Sequence, residues 1–416
     1  MWRENCGELC KNSKQMEERT EIYKYLPKYK EIKIILENEP EANYILGLAA
    51  TDVEKANSET YEYNEEVYYL ICSLAEKCWE RIHTGHFSAV PLEVRKIYAL
   101  SNYFKIFYLF CESVSQQQLM RCAEVLDEAI LIGCTQGLYE GSDEFQSQLT
   151  SYISKALEEN TQTPLPIIEP LKRQQFKCDI LVLDCPSIED FRTKCFTTEH
   201  PALLLNTIKH WPALQKWRDL NYIHKLAGNR TVPIEIGSNY TNDEWSQQLV
   251  KIRDFLHRQF TNTDNEIEYL AQHELFDQIP ALKADIRIPD YCILRTKDSE
   301  SPAHVSIKAW LGPKNTISPL HYDPEHNLLC QVFGRKHIIL ASPADTPNLY
   351  AHESEMLCNT SQLDAAQLDF EKFPLAAKAT FYNVTLQAGD CLYIPPKWWH
   401  YVRAESESFS VSFWWS

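Results

Sequence analysis

The chain has 416 residues, enough to bury a sizeable core and to hold two domains. Hydrophobic residues make up 44% of it and glycine only 11 positions, which excludes a globally disordered or low-complexity protein. The formal net charge of −17 opposes non-specific nucleic-acid binding, which needs clustered cations, and suits a basic peptide or protein partner.

The first residues, Met1 to Cys6, carry no long apolar run, and no stretch of the chain approaches the roughly 20 apolar residues of a membrane span. With 14 cysteines and no secretory signal, a reducing, intracellular setting is expected, with the thiols as small buried hydrophobes. Cys6 and Cys10 lack a second Cys/His pair at zinc spacing, so no zinc site is expected there. Residues 1–60 are charged and mixed and predict short helices and loops.

From about 62 to 158 the pattern is helical. Tyr68, Tyr69, Ile71, Cys72, Leu74 and Ala75 recur at three-to-four spacing, as do Val94, Ile97, Tyr98 and Ser101, and then Leu119, Cys122, Val125, Leu126 and Ile130. Pro91 can open one helix, and Gly133 or Gly137 can close another. Residues 1–158 are therefore expected to form an all-α domain of four or five antiparallel helices, with no clean 34-residue period. Residues 159–177 hold three prolines among polar residues and read as a linker.

After 178 the character changes. Ile180–Leu183, Pro201–Leu205 and Thr231–Ile236 read as strands, with a helix capped by Ser187 and another from Trp217 to Ala227. From 289 onward short strands dominate: Ile307–Leu311, Asn327–Phe333, His337–Ala341, Val384–Leu386, Cys391–Ile394 and Phe409–Trp415. Gly334-Arg335 between two of them suggests a hairpin. The pattern is that of a β-sandwich or jelly roll with flanking helices, and the whole chain is α+β.

His321-Tyr322-Asp323 and, 79 residues on, His400 offer two imidazoles and one carboxylate. That set holds a metal on one face and leaves other positions open, as in non-haem Fe(II) oxygenases. Positions i and i+2 of an extended segment share a face, so His321 and Asp323 can meet one ion, and His400 must come from another strand. By spacing alone this proposes a metal and little more. His326, His337 and His352 lack a carboxylate at i+2 and read as structural or surface residues. Neither a Gly-x-Ser-x-Gly elbow nor a P-loop is present.

The text around these residues narrows the reading. Gly389-Asp390-Cys391-Leu392-Tyr393-Ile394-Pro395, then Trp398-Trp399-His400, with an upstream His-x-Asp and an intervening lysine, resembles the JmjC 2-oxoglutarate oxygenases of the cupin superfamily over 178–416, with a core region of 269–416. Thr231–Thr241, Tyr269–Pro280 and Ser410–Ser416 resemble the JmjC-domain-containing protein 5 group, also described as lysine-specific demethylase 8 and as an arginyl hydroxylase. That resemblance implies a double-stranded β-helix, Fe(II) on His321, Asp323 and His400, and 2-oxoglutarate and O2 as cosubstrates. It implies Lys336 as the cation for the distal carboxylate of 2-oxoglutarate, helped by Asn327, Ser318 and Tyr269. Without it, Lys336 reads as a solvated residue after a turn.

For the substrate, an arginine wants a carboxylate and aromatic faces. Glu235, Tyr240, Trp245, Trp310 and Trp414 can supply both; the resemblance places Glu235, Tyr240 and Trp245 in the pocket with Trp414 beside it, while Ile234-Glu235-Ile236 is otherwise an ordinary half-buried strand and Trp310 or Trp414 ordinary core. The expected reaction is hydroxylation of a protein side chain, arginine first, giving succinate and CO2. The alternatives are histone methyl-lysine demethylation by the same chemistry, or a catalytically weak cupin-like module that recruits a chromatin partner. A protein substrate, a chromatin-associated partner on the helical domain, no direct nucleic acid, no membrane, a monomer, and the nucleus with the cytoplasm as alternative complete the expectations.

Overall fold

The computed structural model describes residues 21–56, 64–84, 89–111, 115–135, 137–157, 164–237, 246–261, 266–295, 304–354 and 357–416. Its contacts divide the chain into two units, Met1–Asn160 with Asn229–Thr231, and Thr161–Gly228 with Val232–Ser416.

The first unit is helical: α1 (Tyr29–Ile35), α2 (Pro40–Lys55), α3 (Glu65–His83), α4 (Leu92–Cys111), α5 (Gln116–Ile132) and α6 (Ser142–Ala156). α4 packs between α3 and α5 and is apolar nearly all round, so it occupies the middle, with Tyr103, Phe104 and Phe107 fully buried. As the sequence suggests, Pro91 directly precedes α4, and Gly133 caps α5. A Cβ at Gly133 would lie 2.8 Å from the Ala99 Cβ, so glycine is needed for the close approach of α5 to α4. One expectation fails here. Before residue 60, α2 is a 16-residue helix rather than a short one, because Pro40 at its start and Ile45, Leu46, Ala49, Ala50 and Val53 give it a buried face. Among the described residues, no helix is long and apolar enough to cross a membrane.

The second unit is built on two sheets. The strands are β1 (Leu181–Asp184), β2 (Ala202–Leu205), β3 (Thr231–Ile236), β4 (Ser246–Lys251), β5 (Glu268–His273), β6 (Ser306–Gly312), β7 (Ile317–His321), β8 (His326–Phe333), β9 (Arg335–Ala341), β10 (Phe381–Gln387), β11 (Cys391–Ile394), β12 (Trp399–Ala404) and β13 (Ser408–Trp415). Nine form one sheet in the order β1-β2-β11-β8-β13-β6-β5-β3-β4, and four form the other in the order β10-β9-β12-β7. The chain is thus α+β, a helical region followed by a β-sandwich with flanking helices.

Alternation along the strands sorts the apolar side chains into three layers. Leu329, Ile338, Leu340, Leu392, Ile394, Trp398 and Val402 meet between the sheets. Their neighbours Cys330, Cys391 and Tyr393 face the helices outside the large sheet, and Ile339, Ala341, Trp399 and Tyr401 face the 343–379 segment outside the small one. Both faces of β8 and β13 are covered, which is why these strands read as continuous apolar runs.

Two sequence expectations are corrected. Gly334-Arg335 does not make a hairpin: β8 pairs with β11 and β13, whereas β9 pairs with β10 and β12. The turn carries the chain from one sheet to the other, since both strands already have partners on each side. The proline-rich stretch from 164 onward is not a free tether. Leu165 is buried and its N–H donates to Asn221 Oδ1 at 2.8 Å, the Ile168 N–H donates to the Arg218 carbonyl at 2.7 Å, and Arg173 grips both oxygens of buried Asp390 at 2.9 Å. Closely spaced prolines disfavour a helix interior and a central strand, but not an ordered strap.

Candidate metal centre

β7 and β12 run antiparallel with His321 directly opposite His400, and the register shifts between His400 and Val402. Asp323 follows just beyond the end of β7, and the Lys397 N–H donates to its carbonyl at 2.7 Å, tying the turn before β12 to the ligand loop. Lys397 has a φ of +64°. The two imidazole rings lie 4.2 Å apart, centre to centre. His400 Nε2 is 3.4 Å, and His321 Nε2 3.9 Å, from Asp323 Oδ2. Candidate ligand atoms of all three residues fall within 4.8 Å of one another, the one such group among the described residues.

The hydrogen bonds fix which nitrogens face the centre. His321 Nδ1 lies 2.7 Å from the Pro319 carbonyl and His400 Nδ1 3.0 Å from the Trp398 carbonyl, each two residues back. A carbonyl can only accept, so Nδ1 carries the proton and Nε2 presents a lone pair, the tautomer a metal ligand needs. Asp323 Oδ2 is buried without a hydrogen-bond partner. Burial, with His400 nearby, pushes the His321 imidazole down to about 4, so it stays neutral. Burial raises the Asp323 carboxyl, but the surroundings of His400, His321 and Lys308 outweigh it and leave it below its ordinary value. Two imidazoles that turn Nε2 to the centre, beside a carboxylate with an unsatisfied oxygen, fit a divalent cation.

Flanking tryptophans hold this strand end. Trp398 Nε1 donates to the Glu199 carbonyl at 2.8 Å, Trp399 Nε1 to Thr346 Oγ1 at 2.9 Å, and Tyr322 meets Trp399 edge-on.

The cluster opens into a cavity between the sheets. Tyr269, Trp310, Ser318, Asn327, Lys336 and Trp414 all line it. Lys336 is 1% exposed, not solvated, and its Nζ donates to Tyr269 Oη at 3.1 Å. Burial pushes its ammonium down to about 7, and no carboxylate pairs with it among the described residues. Asn327 Oδ1 and Trp414 Nε1 are also buried without partners. A cavity with a metal-competent cluster, a lone buried ammonium and unsatisfied donor and acceptor atoms asks for a small polyvalent anion.

Of the other expected residues, Glu235 is half-buried, paired across β3 and β5 with Tyr269, and is not in the cavity wall. Tyr240 and Trp245 lie outside the described residues. Leu329, Ile394 and Val402 complete the wall and escaped the sequence reading. The signal was there: Leu329 is two residues from Asn327 and Val402 two from His400, hence on the same faces.

Comparison with known proteins places the chain in a family. A cupin-like domain profile matches residues 188–416. The chain is 58% identical over 401 residues to Jumonji C domain-containing protein 5 of Drosophila melanogaster, covering 95% of this chain and 98% of that one. The chain belongs to the JmjC cupin family. Lysine-specific demethylase 8 of Danio rerio is 38% identical over 359 residues, 81% of this JmjC chain and 85% of the relative. Its namesake in Xenopus tropicalis is 49% identical over 234 residues, 56% and 52% of the two chains. In this JmjC protein His326, one of the histidines set aside as structural, is buried between Phe196 and Trp415 and bonded to Tyr393 Oη at 2.9 Å.

Proposed function

We propose that the protein is an Fe(II)- and 2-oxoglutarate-dependent oxygenase that hydroxylates a protein side chain, arginine in the first place. The observation that carries this reading is the presence, in one cavity, of the His321–Asp323–His400 cluster and the buried, carboxylate-free Lys336. His321, Asp323 and His400 would hold the metal. Lys336 would take the distal carboxylate of 2-oxoglutarate, with Tyr269, Ser318 and Asn327 around it. When bound, the metal and 2-oxoglutarate supply the means of activating O2 for C–H oxidation, with succinate and CO2 as coproducts.

The chain's own part is positional. The backbone carbonyls of Pro319 and Trp398 orient the imidazoles, and Leu329, Ile394 and Val402 exclude water. Trp310, pinned by its N–H to Ser412 Oγ at 2.9 Å, is a fixed aromatic wall. Glu235, Tyr240, Trp245, Trp310 and Trp414 are our choice for the substrate, since a carboxylate and aromatic faces suit a guanidinium. Glu235→Ala should then impair peptide turnover far more than 2-oxoglutarate binding.

Oxidation of an N-methyl group by the same site is the second reading, favoured by the two relatives named lysine-specific demethylases. It would give a hemiaminal that releases formaldehyde. The same resemblance supports nuclear residence, with the cytoplasm as the alternative. The deciding experiment supplies Fe(II), ascorbate, 2-oxoglutarate and a peptide panel, and reads succinate and peptide mass. One added oxygen on arginine supports hydroxylation; loss of a methylene from methyl-lysine supports demethylation. Absence of succinate above the His321→Ala background, with or without peptide, would sink both.

A further inference from the structure

Lys308 has no place in the scheme so far. On β6, Ser306, Lys308 and Trp310 share one face, and Trp310 lines the cavity. Across the ladder Lys308 stands opposite Ser412 of β13, the residue that accepts the Trp310 N–H. Its ammonium lies 5.3 Å from the ring centre of Trp414, another wall of the cavity, and its charge is felt at Asp323. The side chain is 20% exposed, so it stands at the rim rather than inside. Among the described residues its carboxylate partner is Glu274, whose Oε1 is 4.0 Å away on a side chain 55% exposed. That oxygen also accepts from Ser306 Oγ at 3.3 Å. A pair so long and so wet holds little, and leaves the ammonium able to change partners.

We propose that Lys308 is a specificity-determining residue at the cavity rim, which takes a carboxylate of the substrate segment beside the side chain being oxidised. An oxidisable cationic side chain must pass this fixed positive charge to reach the metal cluster. A neighbouring Asp or Glu offsets it; a neighbouring Lys or Arg adds to the repulsion. The site therefore favours a cationic side chain flanked by acidic residues over a polybasic segment. The idea deepens the oxygenase reading and rests on it for turnover, but not for binding.

The test uses fluorescent peptides with one central arginine flanked by Asp, Gln or Lys, titrated into the full chain with Mn(II) and 2-oxoglutarate and read by anisotropy. The Asp-flanked peptide should bind tightest and the Lys-flanked one weakest, with roughly fivefold between successive members. Lys308→Glu should invert the order, which a merely structural role would not do. Lys308→Gln should collapse the spread and serves where the reversal disturbs folding. An order unchanged in both variants, or no preference in the parent protein, overturns the proposal. Succinate release is measured in parallel. Charge-inverted binding with no succinate from any peptide would reject the oxygenase reading alone, whereas turnover indifferent to the flanks would reject the role of Lys308 alone.

Discussion

Among single residues, the buried ammonium of Lys336 makes the sharpest claim. Its folded pKa is about 7 against an ordinary 10.5, so between those values the unfolded chain holds a proton that the folded, ligand-free one has lost. Stability of the ligand-free protein should rise with pH across that window. Binding runs the other way, because an anion needs the ammonium charged and must draw in a proton above pH 7. Affinity for 2-oxoglutarate should therefore weaken by about tenfold per pH unit above roughly pH 8. Titration calorimetry in buffers of different ionisation enthalpy should show proton uptake. Lys336→Met should cost roughly 10- to 100-fold in affinity and abolish the uptake. His326 makes a second claim. Burial pushes it down to about 4 from 6.5, so the unfolded state binds the extra proton in that interval and stability falls as pH drops from 6.5 to 4. The contribution is at most about 3 kcal/mol. His326→Gln should flatten the pH dependence of the urea midpoint in that range while removing some stacking from Phe196 and Trp415.

The elements of the sandwich explain what a linear reading could see. Leu392 and Ile394 alternate with Cys391 and Tyr393, so β11 was visible as a strand bounded by Gly389 and Pro395. His321 and Asp323 were visible together because two-residue spacing is local. What a linear reading could not see is which sheet a strand joins. Gly334 looks like any hairpin glycine, yet it turns the chain from β8 in the large sheet to β9 in the small one. It also sets Lys336 on the inner face, with Ile338 and Leu340. Its φ is +78°, and a Cβ there would lie 2.0 Å from the Glu407 carbonyl oxygen, a backbone atom with little freedom to move. Gly334→Ala thus combines left-handed strain with a clash and should destabilise by roughly 2–4 kcal/mol. Chemical denaturation should show it, and because Lys336 sits two residues on, 2-oxoglutarate affinity should drop as well. Likewise the strap looked like a linker because its partners, Arg218, Asn221 and Asp390, are far along the chain. The role of Glu235 stays the least legible, since it lies one strand beyond the cavity wall.

At the level of the whole molecule, the cavity concentrates polar atoms that folding leaves unsatisfied: Asp323 Oδ2, Asn327 Oδ1, Trp414 Nε1 and the Lys336 ammonium without a carboxylate among the described residues. The polar and aromatic residues of the cavity wall come from both sheets: Tyr269, Trp310, Asn327 and Trp414 from the large one, and Ser318, His321, Lys336 and His400 from the small one, with Asp323 just past β7. A ligand that satisfies these groups must therefore clamp the two sheets together, and its binding free energy adds to the stability of the sandwich. At about 100 times the dissociation constant the gain is roughly 2.7 kcal/mol. With Mn(II) and 2-oxoglutarate together, the unfolding midpoint of the protein should rise by a few degrees. Hydrogen exchange should slow in 306–341 and 391–415, where the ligating strands lie, rather than in the helices of 65–156. His321→Ala should erase the response to Mn(II), because it removes one Nε2 and leaves Asp323 and His400 as an incomplete set. Lys336→Met should erase only the further increment from 2-oxoglutarate. A midpoint that rises equally in the parent and in His321→Ala would mean that the ion binds elsewhere and that the three residues are not its ligands.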